Sequence, residues 1–303
     1  MIVLNDERIL LTGGSGFIGK HIIEYFNNNV VNAELKILNS RLDNVGGMID
    51  EINEFKPTAV IHLAGVALIK QDEKNPDEIV KTNVTGTFNL VRILPRGCKF
   101  ILASTITVYG DKEINNRSFD EKTSILKPTS IYASTKIACE NIVNVYTNQG
   151  YINGVSLRLC AVVGKHTSHG ILYDFVNKLY SDNPELEVLG EYPGSSKPFI
   201  YADDACCAFF KAIEKTPTYD RVFNICNRDI CSVQDVAMSV MSGLGIYKPI
   251  KWLGQSSTWK GDNKLIDANC GWAGCLLGWY PRYNSVSAIY KASQDILNEN
   301  YSR

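Results

Sequence analysis

An apolar run, Ile9-Leu10-Leu11, leads into Gly13, Gly16 and Gly19, and these lead into a helical pattern at Phe17, Ile18, Ile22, Ile23 and Phe26. This strand, glycine turn and helix in succession constrain the fold more than any other feature of the chain. The first glycine permits a tight turn, the second lets the backbone approach a pyrophosphate, and the third lets the helix pack on a sheet. The helix N-terminus then offers free N–H groups and a partial positive charge to phosphates. Glycine-rich turns are common, so the triplet takes its meaning from that setting. Gly13, Ser15, Gly16, Phe17, Ile18 and Gly19 are the expected cradle of a dinucleotide.

The alternation continues. Apolar runs bounded by turn residues fall at 8–12, 34–39, 59–63, 99–104 and 155–160, and helical patterns at 17–28, 45–55, 76–94 and 131–148. That order predicts an α/β, Rossmann-like, doubly wound parallel sheet. After residue 165 the pattern loosens into a helix near 170–181, a strand running into a helix near Asp203, and a final helix near 285–298. We expect a dinucleotide-binding domain over 1–165 and a smaller C-terminal substrate-binding lobe over 166–303, interleaved with the first.

Composition excludes several classes. With 31 basic and 32 acidic residues and a net charge of −1, the chain has no basic field for nucleic acid. It has no apolar run of about 18 residues to span a bilayer. The opening MIVLNDERILLTGG lacks a basic region and a cleavage site, so a cytoplasmic protein is expected. The 9 cysteines are scattered without a C-x-x-C, and they read as small buried thiols. His166 and His169 form an H-x-x-H without a third ligand, and no metal site is expected.

A unit that binds NAD usually ends its second strand in Asp or Glu, which holds the ribose hydroxyls. Here that position is Asn39, followed by Arg41, Leu42 and Asp43, and these four are expected to bind the cofactor, Asp43 at its adenine or ribose. No carboxylate stands there to repel a 2′-phosphate, and the planar fork of Arg41 suits one. A solvated surface arginine fits the sequence equally well. We expect NADP(H) to be preferred, with NAD(H) also accepted.

Tyr132 and Lys136 stand four apart on a predicted helix and share a face. A lysine ammonium beside a phenol lowers the phenol's pKa and fits it for acid–base work. An isolated pair of this kind would more simply be a surface tyrosine and a lysine paired with Glu140. The apolar run KFILASTITVYG alters that balance, because it ends in Ser104-Thr105 where a doubly wound sheet opens toward its ligand. A hydroxyl there can bond the same substrate oxygen that Tyr132 protonates.

Together, TGGSGFIG, HLAG (62–65), NVTGT (83–87), STITVYG (104–110) and YASTK (132–136) resemble the extended short-chain dehydrogenase/reductase family. Its members are NAD(P)-dependent nucleotide-sugar epimerases, dehydratases and reductases. The likeness continues through SLRLCAVVGK, KPFIYADD and LGWYPRY, nearly the whole chain. It implies Thr105, Tyr132 and Lys136 as the catalytic set, with Leu63, Ala64 and Gly65 along the cofactor and Asn83 supporting the site. It also points to Lys197, which stands where relatives often carry an arginine that holds the sugar-nucleotide diphosphate, as a substrate-binding residue, and it points to a homodimer. Arg158 falls in a strand near the nicotinamide side, and the sequence leaves open whether its role is structural.

The sequence departs from the family in two places. Dehydratases carry an Asp-Glu pair directly after the catalytic threonine, and epimerase-reductases carry a cysteine two residues on. Here Ile106 and Thr107 stand there, so water loss and a second epimerising step are not expected, and Thr107 is assigned to substrate binding. The segment from Asn39 to Asp43 is also short, which implies an abbreviated sheet. The resulting expectation is a reductase that acts on the C4 keto group of a nucleotide-linked 4-keto-6-deoxyhexose with NADPH. The alternatives are an NDP-hexose 4-epimerase with tightly bound NAD, and a non-catalytic NADP(H)-binding sensor or scaffold.

Overall fold

The computed structural model describes residues 1–67, 75–113, 117–217, 221–254 and 263–301. Six parallel strands form the central sheet: β1 (Ile2–Thr12), β2 (Val30–Ile37), β3 (Ala59–His62), β4 (Cys98–Thr105), β5 (Ile152–Leu159) and, after four short intervening strands, β10 (Val222–Ile225). Their order is β10-β5-β4-β3-β1-β2. The chain leaves β1 for β2 on one side and returns to β3 on the other. The order therefore reverses between β1 and β3, and in open α/β sheets ligands bind at such a point.

Helices cover both faces. The helices α1 (Phe17–Asn29) and α7 (Ala202–Lys215) pack on one, with Ile22, Phe209 and Phe210 wholly buried. On the other lie α2 (Val45–Phe55), the short α3 (Pro76–Val80), α4 (Gly86–Val91) and α5 (Ile131–Asn148), over a core that includes Met48, Leu90 and Phe100. The inner strands β3, β4 and β5 are buried on both sides, so their burial does not alternate, whereas β2 at the sheet edge has no fully buried residue.

The expected helix 76–94 is not continuous. A π-turn at Lys81–Thr85 separates α3 from α4. Such turns insert an extra residue into the helical ladder and often mark functional positions.

The remaining elements are β6 (Ala161–Val163), α6 (Ile171–Tyr180), β7 (Leu186–Val188), β8 (Ser196–Lys197), β9 (Phe199–Tyr201), β11 (Cys231–Ser232), α8 (Val233–Leu244), β12 (Ile250–Trp252) and α9 (Ser285–Tyr301). The helices α6, α8 and α9 enclose a core of their own around Phe175, Val240 and Ile289. Two stretches quoted above meet at one carboxylate. Arg282 donates from its backbone N (3.0 Å) and Nε (2.7 Å) to the buried Asp204, and Trp279 Nε1 reaches the Asp204 carbonyl at 2.8 Å. LGWYPRY thus pins the chain to the start of α7. Among the described residues, no helix is long and apolar enough to cross a membrane.

Candidate active site

The glycine turn is closed tightly on one side and open on the other. Gly13 adopts φ +72°, and a Cβ there would lie 2.7 Å from Ala64 N. A Cβ on Gly19 would lie 2.3 Å from Gly13 O, so α1 can sit against the turn only without one. At Gly16 the nearest atom would be 3.3 Å away, and Ser15 and Gly16 are exposed. No side chain caps α1, which leaves the N–H groups of Phe17, Ile18 and Gly19 to a ligand. These residues fit a dinucleotide pyrophosphate.

The loop after β2 is held from two sides. Glu51 accepts from Ser40 N (2.7 Å) and Asn39 N (3.0 Å), and Asn89 Nδ2 donates to Leu42 O (3.1 Å). Leu42 packs on Gly86, where a Cβ would meet it at 2.7 Å. Arg41, its side chain 84% exposed, reaches Asp43 at 3.3 Å, and Lys81 reaches the same carboxylate at 3.7 Å. The two cations hold the Asp43 carboxyl below its ordinary pKa, the hydrogen bond from Arg41 contributing most. Lys81 has no signal in the linear sequence, because it arrives from the π-turn that follows α3.

Thr105 ends β4, and its side chain hydrogen-bonds the phenol of Tyr132 near the start of α5. Thr105 Oγ1 also accepts from Thr107 N (3.2 Å) and lies 3.0 Å from Thr107 Oγ1. Three hydroxyls are thus linked in a row. Lys136 is buried, with Nζ donating to Ala103 O at 2.9 Å and lying 5.9 Å from the Tyr132 ring centre. The expected lowering of the phenol pKa is not what the structure shows. Burial raises it to about 12 and outweighs the Thr105 hydrogen bond; burial also lowers the pKa of Lys136.

Asn83, in the π-turn, joins the two halves of this site. Its Oδ1 accepts from Val66 N (2.8 Å), and its Nδ2 donates to Val66 O (3.1 Å) and Thr135 Oγ1 (3.0 Å). Gly65 lies so close that a Cβ would sit 2.9 Å from Asn83 Oδ1 and 3.6 Å from Lys136 Nζ. Leu63, Ala64 and Gly65 therefore line a path from the glycine turn to the lysine. Lys197 lies apart: half-buried in β8, it pairs through its backbone register with Cys231 of β11. No hydrogen bond among the described residues ties it to the triad.

The profile of the family described as NAD dependent epimerase/dehydratase matches residues 9–226. The chain belongs to this family. It is 27% identical over 271 residues to a dTDP-D-glucose 4,6-dehydratase of Dictyostelium discoideum, covering 78% of this chain and 62% of that protein. The chain thus spans under two thirds of that relative's length. It is 27% identical over 325 residues to UDP-glucose 4-epimerase 3 of Oryza sativa subsp. japonica, covering 91% of this chain and 86% of that one. The fold is similar to that of RMD from Pseudomonas aeruginosa complexed with NADPH, with a TM-score of 0.85 at 20% identity, covering 97% and 98% of the two chains.

Within the family frame, several site residues were not evident from motif reading. His62 is buried between Thr12 Oγ1 (2.8 Å from Nδ1) and Thr87 Oγ1 (3.0 Å from Nε2), and burial drives its pKa down to about 3. Cys139 donates to Asn83 O at 3.2 Å beneath Lys136. Glu140 pairs with Arg158 rather than with Lys136. The only linear trace of Glu140 is its spacing, four residues beyond Lys136 as Lys136 is beyond Tyr132.

Proposed function

We propose that this protein is a nucleotide-sugar oxidoreductase that reduces the C4 keto group of an NDP-4-keto-6-deoxyhexose with NADPH. The observation that carries the reading is the row Tyr132–Thr105–Thr107. Reduction needs one proton at O4, and a phenol held neutral by its own protein surroundings is a donor. Tyr132 gives that proton while Thr105 fixes the oxygen. Thr105 then turns its hydroxyl to the phenolate, and Thr107 donates to Thr105 in its place, so the chain of hydroxyls reverses without a new group entering. Lys136 opposes the phenolate charge from below.

The cofactor, when bound, supplies the hydride. Gly13, Gly16 and the first turn of α1 would hold its pyrophosphate, and Ala64, Gly65 and Lys136 would line its nicotinamide half. Arg41 and Lys81 place two cations at the loop expected to meet the adenosine, where the carboxylates of Asp43 and Glu51 also lie, and the largely exposed fork of Arg41 is what supports NADP(H). Next to Thr105, the buried Ile106 and the hydroxyl of Thr107 provide no acid or base for water loss at neutral pH. That argues against the reaction named for the Dictyostelium relative.

A second reading is 4-epimerisation with retained NAD, supported by the 27% identity to UDP-glucose 4-epimerase 3 over 91% of the chain. Its first half requires Tyr132 as proton acceptor, the reverse of its role in reduction. Stoichiometric loss of NADPH absorbance on adding a 4-keto-6-deoxy sugar nucleotide tests the reductase. Interconversion of glucose- and galactose-configured sugar nucleotides without net cofactor change would decide for the epimerase.

A further inference from the structure

Behind the lysine lies a second buried charge pair. Tyr132, Lys136 and Glu140 follow one another at single-turn spacing on α5. The Glu140 side chain, 7% exposed, accepts from Arg158 Nε at 2.9 Å and Nη2 at 2.7 Å, and the Ser104 hydroxyl donates to the same carboxylate. Arg158, 5% exposed, gives Nη1 to Tyr109 OH at 2.8 Å, and Tyr109 passes its proton bond to Asn224 Oδ1 at 2.9 Å. Ser104 and Arg158 are register partners across β4 and β5. The pair thus clamps the strand end that carries Thr105 to the helix that carries Tyr132.

An apolar pair of similar volume would pack as well, and burying two charges seldom adds net stability. What the ionic pair alone provides is placement of charge: a carboxylate one turn from Lys136, balanced by a guanidinium behind it. We infer that Glu140 and Arg158 are a charge-neutral positioning pair, fixing Ser104–Thr105 against α5 while leaving the Lys136 ammonium as the net charge that Tyr132 feels. The other titratable groups facing this region fit that account. Burial raises the Cys139 thiol and lowers the His62 imidazole to about 3, so both are neutral at pH 7. Glu121, which accepts from Asn224 N, lies at the far end beyond Tyr109. The inference rests on Tyr132 as the proton donor, but its test does not require turnover.

Glu140→Gln keeps the shape and leaves the Arg158 charge uncompensated. At two helical turns, about 12 Å, an extra positive charge favours the phenolate by up to about tenfold. Phenolate at a fixed alkaline pH is read by difference absorbance between each protein and its Tyr132→Phe counterpart. Glu140→Gln should show severalfold more phenolate than wild type, Arg158→Met severalfold less, and Glu140→Leu/Arg158→Met the wild-type amount. Should Glu140→Gln fail to fold, Arg158→Met and the double variant carry the test. Folded single variants with wild-type phenolate would overturn the inference, as would a double variant that shifts like a single. Loss of the reductase assignment would leave these titrations standing, so the two failures are distinguishable.

Discussion

His62 and Thr12 are register partners at the C-terminal ends of β3 and β1, and the Thr12 hydroxyl lies 2.8 Å from His62 Nδ1. Hydrogen-bond counting fixes the tautomer. Thr87 has one hydroxyl proton, and its shortest bond, 2.6 Å, goes to Asn83 O. His62 Nε2 must therefore carry a proton and donate to Thr87. Nδ1 then accepts from Thr12, whose oxygen accepts from Ala64 N at 3.1 Å. A neutral imidazole thus ties the loop at Ala64 to the turn at Asn83. In ¹⁵N-histidine spectra His62 should appear as the Nε2–H tautomer, unchanged from pH 8 to 5. An imidazolium signal at pH 5 would refute the assignment.

The same histidine gives a pH dependence with a definite sign. Its folded pKa, about 3, lies below the ordinary 6.5. The unfolded chain therefore takes up a proton between these values while the folded one does not, and stability falls as pH drops through that window. The slope is about 1.4 kcal/mol per pH unit for one proton. Glu121, raised to about 6 by burial, acts oppositely between about 6 and its ordinary 4.5, where protonation favours the folded state. Denaturant unfolding from pH 7 to 4 should show His62→Asn losing less stability over this range than wild type, whatever its starting value.

Tyr132→Phe should abolish turnover with either sugar-nucleotide class and leave cofactor affinity nearly unchanged, because only the hydroxyl is removed. Cofactor fluorescence titration and a turnover assay on the same preparation check both halves. Full turnover in this variant would remove Tyr132 from the chemistry.

Thr105→Val removes the partner of the phenol and the middle hydroxyl of the row. Turnover should fall on the order of 10²-fold, the usual cost of a positioned donor. Thr107→Val leaves the Thr105–Tyr132 bond in place and should cost less than Thr105→Val. Equal losses would mean that the Tyr132–Thr105 bond is not what matters.

Arg41 and Lys81 should set cofactor preference together. A charge-assisted contact to a phosphate is worth roughly 1.5–3 kcal/mol when desolvated, but Arg41 is 84% exposed, and exposed pairs contribute about 1 kcal/mol or less. Arg41→Ala should weaken NADPH binding by about fivefold or less, Arg41→Ala/Lys81→Ala by more, and NADH binding by neither. Titrations at low and high salt would show the effect shrinking with screening. An unchanged NADPH/NADH ratio in the double variant would leave both as surface residues.

The linear sequence determined what depends on near neighbours. The glycine turn is marked by its own spacing and by the adjoining strand and helix, and the Tyr132–Lys136 spacing needs only helical geometry, so both were legible before folding. The alternation of apolar runs with helical patterns was legible too, because a strand buried on both faces and a helix leave different periods. The break at Lys81–Thr85 was not, because nothing in KTNVT marks a π-turn, and only there does Asn83 reach both Val66 and Thr135. Register decided which side chains meet across strands: Thr12 with His62, and Ser104 with Arg158. Burial decided the electrostatics. A lysine four residues from a tyrosine lowers its pKa in water-facing surroundings, yet here desolvation of both groups is the larger effect, and it exists only once β4, α5 and the loop at Gly65 have closed around them.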